Sequence, residues 1–402
     1  MATTKFSRLT TLAVAIQLGV AGCSTPQRLP AVPQASALQS EQALGPVRFL
    51  VSRESDTFAA AARDSLAREQ QWRASQGQSG ELPPAYFLAI SGGGDNGAYG
   101  AGFLNGWTAS GTRPEFKVVT GISTGALIAP FAFLGPKYDY VLERVYTTTS
   151  QRDIFTKRGF KSLIWGDAAA DTTPLATIIA SYVTPEFLKE VAAEYAKGRI
   201  LLVGTTNLDS LEPVIWNMGA IASSNDPGAV KLFRSVLLAS ASIPGAFPPV
   251  MIDVNIDGTP HQEMHVDGGT VTQVFLYPPS FSVNSAAPRK RVLYVIRNAR
   301  LDADWTSTER RTMTIAMRAI DSLTRTQGIG DLYRIYTTAN RDGIDFNLTY
   351  IPPTFNTPHN EQFDTAYMQS LYKVGLDAAK AGYSWQKYPP GFDAPLGQQL
   401  SK

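Results

Sequence analysis

The chain of 402 residues contains one cysteine, Cys23, and three histidines, His261, His265 and His359. A single thiol cannot close an internal disulfide, form a redox dithiol or build a Cys/His zinc cluster. With so few imidazoles, a histidine-activated nucleophile has little to draw on. Long apolar runs are missing too: beyond the N-terminal segment none reaches the ~18 residues without Pro, Gly or charge that a spanning helix needs. Charge of one sign is scarce, since 36 basic residues face 34 acidic ones for a net +2. Removing residues 1–22 takes away Lys5 and Arg8 and no acid, which leaves no net charge. A nucleic-acid partner therefore has no electrostatic support. The acids show no EF-hand spacing, so neither a metal nor any other cofactor is expected.

What is present begins with Lys5 and Arg8, an apolar run from Leu9 to Val20, and then Val20-Ala21-Gly22-Cys23. The pattern is that of an export signal. It resembles a bacterial lipobox, which implies cleavage before Cys23 and a lipid on its thiol. In that pattern Ser24, in place of an aspartate, implies delivery to the outer membrane. Residues 24–48, with prolines at 26, 30, 33 and 46, read as an extended tether. The run from Ser55 to Ser75 reads as a helix with Ser55 near its N-cap. The expected organisation is a signal peptide over 1–22, a lipidated cysteine and tether over 23–48, a helical segment over 49–84, and a hydrolase domain over 85–402 whose motifs fall within 85–300.

After Pro83-Pro84, short apolar runs alternate with helical periodicity, which predicts an α/β sheet with crossover helices. Strands are expected over 85–90, 117–122, 199–206, 212–217 and 291–297, and helices over 97–109, 124–134, 174–195, 228–241, 307–326 and 362–381. Residues 135–195 form either a cap over one sheet end or a plain helical insertion.

Within this pattern Gly121-Ile122-Ser123-Thr124-Gly125 joins a β-branched run to a helical one. That is the strand, sharp turn and helix context of a nucleophile elbow. Ser123 would stand above a helix N-terminus, whose partial positive charge favours a developing anion. About thirty residues earlier, Ser91-Gly92-Gly93-Gly94-Asp95 follows another strand. Bare backbone there can present N–H groups to a tetrahedral oxyanion, Gly93, Gly94 and Thr124 being the best donors. A phosphate-binding loop or a tight structural turn would use the same residues, but the Lys-Ser/Thr of the one nucleotide loop and the acid-paired glycine spacing of the other are missing. Further on, His265-Val266-Asp267-Gly268-Gly269 offers Asp267 as a base, or simply an Asp-Gly turn.

Together the glycine-rich loop, the segment Gly121 to Gly125, Ala241-Ser242-Ile243-Pro244-Gly245-Ala246-Phe247-Pro248, and Asp267-Gly268-Gly269 resemble the ordered motifs of the patatin-like phospholipases. The resemblance covers about 85–300. It implies a three-layer α/β sandwich with a central, mostly parallel sheet, and a Ser/Asp dyad in place of a triad: Ser123 as nucleophile, Asp267 as general base, and Gly92, Gly93 and Gly94 as the oxyanion loop. It also implies cleavage of fatty-acyl esters of lipids through an acyl-enzyme. Many members carry Arg or Lys after the glycine triplet, whereas this chain has Asp95, expected to repel an anionic head group. The alternatives are an α/β-hydrolase esterase with His359 completing a triad, and a catalytically silent envelope lipoprotein.

Overall fold

In the computed structural model, residues 26–36, 47–50, 55–159, 166–283, 288–303, 305 and 307–392 are described. The lipobox and Cys23 lie outside them. A sheet of 9 strands runs through the molecule. Its parallel block has the order β4 (Ile200–Asn207), β3 (Val118–Ile122), β2 (Ala85–Ile90), β8 (Arg291–Arg297) and β9 (Asp345–Tyr350). Antiparallel to β4 lies β5 (Glu212–Asn217), followed at the edge by β1 (Arg48–Leu50). The hairpin of β6 (Val250–Ile256) and β7 (Thr259–Asp267) completes the sheet.

Strand alternation divides the core in two. Leu88 and Ile90 of β2 face one cluster with α2 (Gly97–Ala109), α3 (Thr124–Leu134), α4 (Asp139–Thr148), α5 (Thr173–Tyr182), α6 (Pro185–Ala196), α7 (Ala229–Ser240) and α9 (Thr365–Lys380). Ala85, Phe87 and Ala89 face the other cluster, with Phe58 of α1 (Ser55–Ser75) and Leu332, Ile335, Tyr336 and Ala339 of α8 (Thr312–Arg341). The result is a three-layer sandwich around a mostly parallel sheet, as the motifs imply.

The differences have local causes. The single helix expected over 174–195 is two, because Pro185 starts α6 with Thr184 as its N-cap, and a residue before proline is pushed out of helical geometry. The expected helix over 307–326 runs instead from Thr312 to Arg341. Its Gly328 does not break it: a Cβ there would lie 2.3 Å from Nη2 of Arg297, so the glycine lets the helix cross the end of β8. Strands β6 and β9 lie where the sequence predicts none. The tether is shorter than its composition suggests, since Arg48 pairs with Trp216 in the sheet. Farther back, the Arg28 guanidinium binds Asp209 at 2.8 Å and Gln262 N–H donates to the Pro30 carbonyl at 3.1 Å, which fixes this stretch on the β4–β5 turn and the β6–β7 hairpin.

Candidate active site

Strand register brings the two principal residues together. β3 ends with Ile122 opposite Gly204 of β4, and β7 takes up pairing on the same side of β4 with Asp267 opposite Thr205. Ser123 and Asp267, 144 residues apart in the chain, thus leave their strands at neighbouring positions, and the Ser123 hydroxyl donates to Oδ2 of Asp267 at 2.6 Å. The elbow is as tight as the glycine spacing predicts. Ser123 has φ 54°, a left-handed value that costs a non-glycine residue energy and survives only where its surroundings enforce it. A Cβ on Gly121 would lie 2.3 Å from the Gly125 carbonyl, and one on Gly125 2.3 Å from the Ile90 carbonyl, so neither position admits a side chain without moving backbone.

Asp267 is buried, with 4% of its surface exposed. Burial pushes its carboxyl from 3.8 up to about 7, against the opposing pull of the Ser123 hydroxyl and of Gly269 N–H at 2.7 Å from Oδ1. Its own N–H donates to the Ser242 carbonyl at 2.9 Å. Ser240, two residues earlier, accepts from Ser123 N–H at 3.0 Å and donates to the Gly204 carbonyl at 2.7 Å. The Ala241 to Pro248 motif and Ser240 before it therefore hold the backbones of both residues, a role sequence gives no sign of for Ser240.

Thr124 and Gly94 each begin a helical turn, so their N–H groups have no carbonyl within it, and both residues line the cavity beside Ser123. Gly93 packs on Asn298, where a Cβ would lie 2.1 Å from the Asn298 carbonyl oxygen. Among the described residues, the N–H groups of Gly93, Gly94 and Thr124 donate to no protein group. Gly92 differs from its neighbours. Its N–H donates to the Gln273 carbonyl at 3.0 Å, so it belongs to the loop but not to the loop's free donors. A Cβ there would approach the Ser123 Cβ to 3.2 Å.

Asn298, just beyond β8, is not legible as a site residue from sequence. Its N–H donates to Ser91 Oγ at 2.8 Å, its Nδ2 donates to the Ser91 carbonyl at 2.9 Å, and its Oδ1 accepts from Gly100 N–H at 3.0 Å. One residue thus ties the start of the glycine loop to the helix that follows it. Asn298→Ala is expected to lower kcat for ester hydrolysis about tenfold or more with KM within about twofold, since loop donors matter most in the transition state. A raised KM with kcat unchanged would mean a loss of binding instead.

The three imidazoles are engaged elsewhere. His265 is fully buried, its Nδ1 2.9 Å from Thr205 Oγ1 and its Nε2 3.2 Å from Glu263, and burial lowers its pKa. His261 Nδ1 lies 3.2 Å from the Ala31 carbonyl. His359 Nε2 bonds Asp95 Oδ2 at 2.7 Å, and its ring stacks on Tyr367 with centroids 4.2 Å apart. This corrects the reading of Asp95. Its carboxylate is buried, accepts also from Phe363 N–H at 2.7 Å, and fastens residues 359–363 over the site, so it presents no bare charge to a head group. The same carboxylate raises the His359 pKa.

Ser123 opens onto an apolar cavity. Its walls are Leu127 and Phe131 of α3, Val141, Leu142 and Val145 of α4, Leu175, Ile178, Ile179 and Tyr182 of α5, and Leu237, Ile243, Phe247 and Phe363. Residues within 141–154 and 175–183 thus cover the Ser123 side with an apolar wall. Its polar spot, the Thr124 hydroxyl, is bonded to the Tyr146 hydroxyl. Among the described residues, no three His, Cys, Asp or Glu side chains gather as a metal site, and no helix is long and apolar enough to cross a membrane.

Residues 88–278 match the family model of the patatin-like phospholipases. No curated protein matches the chain. Among solved structures it is similar to VipD from Legionella pneumophila, at 13% identity and a TM-score of 0.32 over 75% of this chain and 67% of that one. It is similar also to ExoU, solved with SpcU from the type III secretion system of Pseudomonas aeruginosa, at 12% identity and a TM-score of 0.32 over 75% of this chain and 52% of that one. Human GIVD cytosolic phospholipase A2 is similar at 10% identity and a TM-score of 0.32 over 73% of this chain and 54% of that one. The chain spans about half the length of the latter two.

Proposed function

We propose that the protein, whose residues 88–278 match the patatin-like phospholipase model, is a lipid acyl hydrolase that cleaves fatty-acyl esters by a Ser123/Asp267 dyad through an acyl-enzyme. The observation that carries this reading is the 2.6 Å bond between the Ser123 hydroxyl and Asp267 at the mouth of an apolar cavity. Asp267 takes the Ser123 proton as Oγ attacks the ester carbonyl carbon, and the N–H groups of Gly93, Gly94 and Thr124 receive the oxyanion. The tetrahedral adduct collapses, the C–O bond to the alcohol breaks, and Asp267 returns its proton to the leaving oxygen. Water then attacks the acyl-serine with Asp267 again as base, which releases the fatty acid and restores Ser123. A carboxyl held near 7 suits both transfers, because it gives up and takes back a proton at neutral pH.

The substrate is selected through its acyl chain. Each buried CH₂ contributes about 0.8 kcal/mol, close to a fourfold gain in kcat/KM per methylene while the chain still lengthens into the cavity. The test is a matched series of esters differing in acyl length and head group, run beside Val145→Trp, which places an indole in the cavity wall. For the wild type kcat/KM is expected to climb with chain length and to vary little with head group. In the variant the long-chain rates should fall about tenfold, with butyrate esters kept within about twofold. Indifference to chain length would overturn the assignment of the cavity. The lipobox reading belongs to the same proposal: a lipid on Cys23 would hold this hydrolase at the outer membrane.

A further inference from the structure

Helix α8 has 30 residues, about 45 Å of helix. Among the described residues, its second half packs on the body through Leu332, Ile335, Tyr336 and Ala339. The strands beside it fix its direction. β8 and β9 run parallel, and Gly328 crosses α8 over Arg297, the last residue of β8. Residues 312–327, about 24 Å of helix, therefore continue past the C-terminal edge of the parallel strands. That is the edge where β3 delivers Ser123. At the base of the projection Arg325 donates to the carbonyls of Leu301 and Asp302.

This half carries apolar side chains into solvent. Leu323 is 71% and Ile315 52% exposed, and Trp305 in the loop before the helix is 92% exposed. Ile315, Ala319 and Leu323 follow each other at four-residue spacing and form one stripe, roughly 150° around the helix from the face that packs on the sheet. Such a stripe gains nothing from the body of the protein, and a lone half-helix of this length is marginal in water by its own propensity. Its charge adds a second constraint. Over residues 309–325, Arg310, Arg311, Arg318 and Arg325 stand against Glu309 and Asp321, a surplus of two cations. Arg310 and Arg311 precede the helix N-terminus, and Glu309 pairs with Arg311 at 3.3 Å.

We propose that the projecting half of α8, with Trp305, docks on the interface of an anionic lipid bilayer and so presents the Ser123 edge to that surface. An apolar stripe beside arginines, with an exposed indole, is the composition that seats a helix at the level of lipid head groups. The position of the stripe at the Ser123 edge favours a lipid surface over a second copy of the chain. The proposal rests on the reading of the protein as a lipid hydrolase, and its test separates the two.

The full chain carrying Cys23→Ser, which removes any N-terminal lipid, is floated with vesicles of phosphatidylcholine alone and of phosphatidylcholine mixed with phosphatidylglycerol. It is compared with the same chain bearing Ile315→Asp and Leu323→Asp, and separately with Trp305→Ala. Flotation is expected on the mixed vesicles and to fall at least about tenfold in the double variant. Its kcat/KM on a monomeric short-chain ester should stay within about twofold, which shows that the fold is intact. Equal flotation of the parent and double-variant chains would overturn the proposal. So would a dimer of the parent chain, seen by light scattering, that the double variant abolishes while vesicle binding persists. A chain that floats as expected yet hydrolyses no ester would leave docking standing and refute the hydrolase reading.

Discussion

Ser123→Ala and Asp267→Asn are each expected to lower kcat for acyl-ester hydrolysis by at least about 10³-fold in a protein that remains folded, and the double variant to be little worse than either. The argument is geometric. The Ser123 hydroxyl has Asp267 as its partner at 2.6 Å, and none of the three imidazoles bonds it. Without Asp267 the serine has no acceptor for its proton, and without Ser123 the base has nothing to activate, so the two act as one unit and their effects do not add. A fluorophosphonate probe should label wild type and fail to label Ser123→Ala, since it reports an activated serine. His359→Gln should keep kcat within about tenfold, because its Nε2 is spent on Asp95. A loss for His359→Gln equal to that for Asp267→Asn would favour a triad and sink the dyad.

The chain makes some of this site legible and conceals the rest for a physical reason. The elbow can be read because its constraint is local: Gly121 and Gly125 lie within two residues of Ser123, and their closeness follows from the turn itself. The sheet can be read because β2, β3, β4 and β8 are short apolar runs between helical stretches. Asp267 is reached only through a family resemblance, since its distance from Ser123 depends on β7 succeeding β3 along β4, a register that no local pattern encodes. The Asn298 ties to Ser91 span 207 residues and the Asp95 bond to His359 spans 264. Both pairs consist of residues that, taken singly, look like ordinary loop polarity. Asp95 is the instructive error: read as a free charge from its place after the glycines, it is in the fold a buried acceptor with two donors. α8 misleads in the opposite sense, since Gly328 and Gly330 suggest an end to a helix that continues to Arg341.

The second large effect concerns stability, and its sign is opposite to that of the activity change. Asp267 titrates at about 7 in the fold against 3.8 for an ordinary aspartate, with burial as the main cause. A carboxyl with a raised native pKa binds its proton more tightly folded than unfolded. Its contribution to stability is therefore fully present below pH ~4 and is lost progressively up to about 7, as the buried group ionises. The interval corresponds to about 4 kcal/mol, borne by the native enzyme at alkaline pH. The carboxamide introduced by Asp267→Asn would accept from Gly269 N–H through its oxygen and donate to Ser123 Oγ through its amide, with no charge to bury. Asp267→Asn is thus expected to melt several degrees above wild type at pH 8 and within about a degree of it at or below pH 4, with the gap opening between. Wild-type kcat/KM should rise with pH over the same interval, because only the ionised carboxylate can take the serine proton. Scanning calorimetry at a series of pH values decides the matter. A variant that melts below wild type at pH 8 would show that the ionised carboxylate is a net stabiliser, and a carboxylate so well accommodated could not titrate near neutrality as the proposed base must.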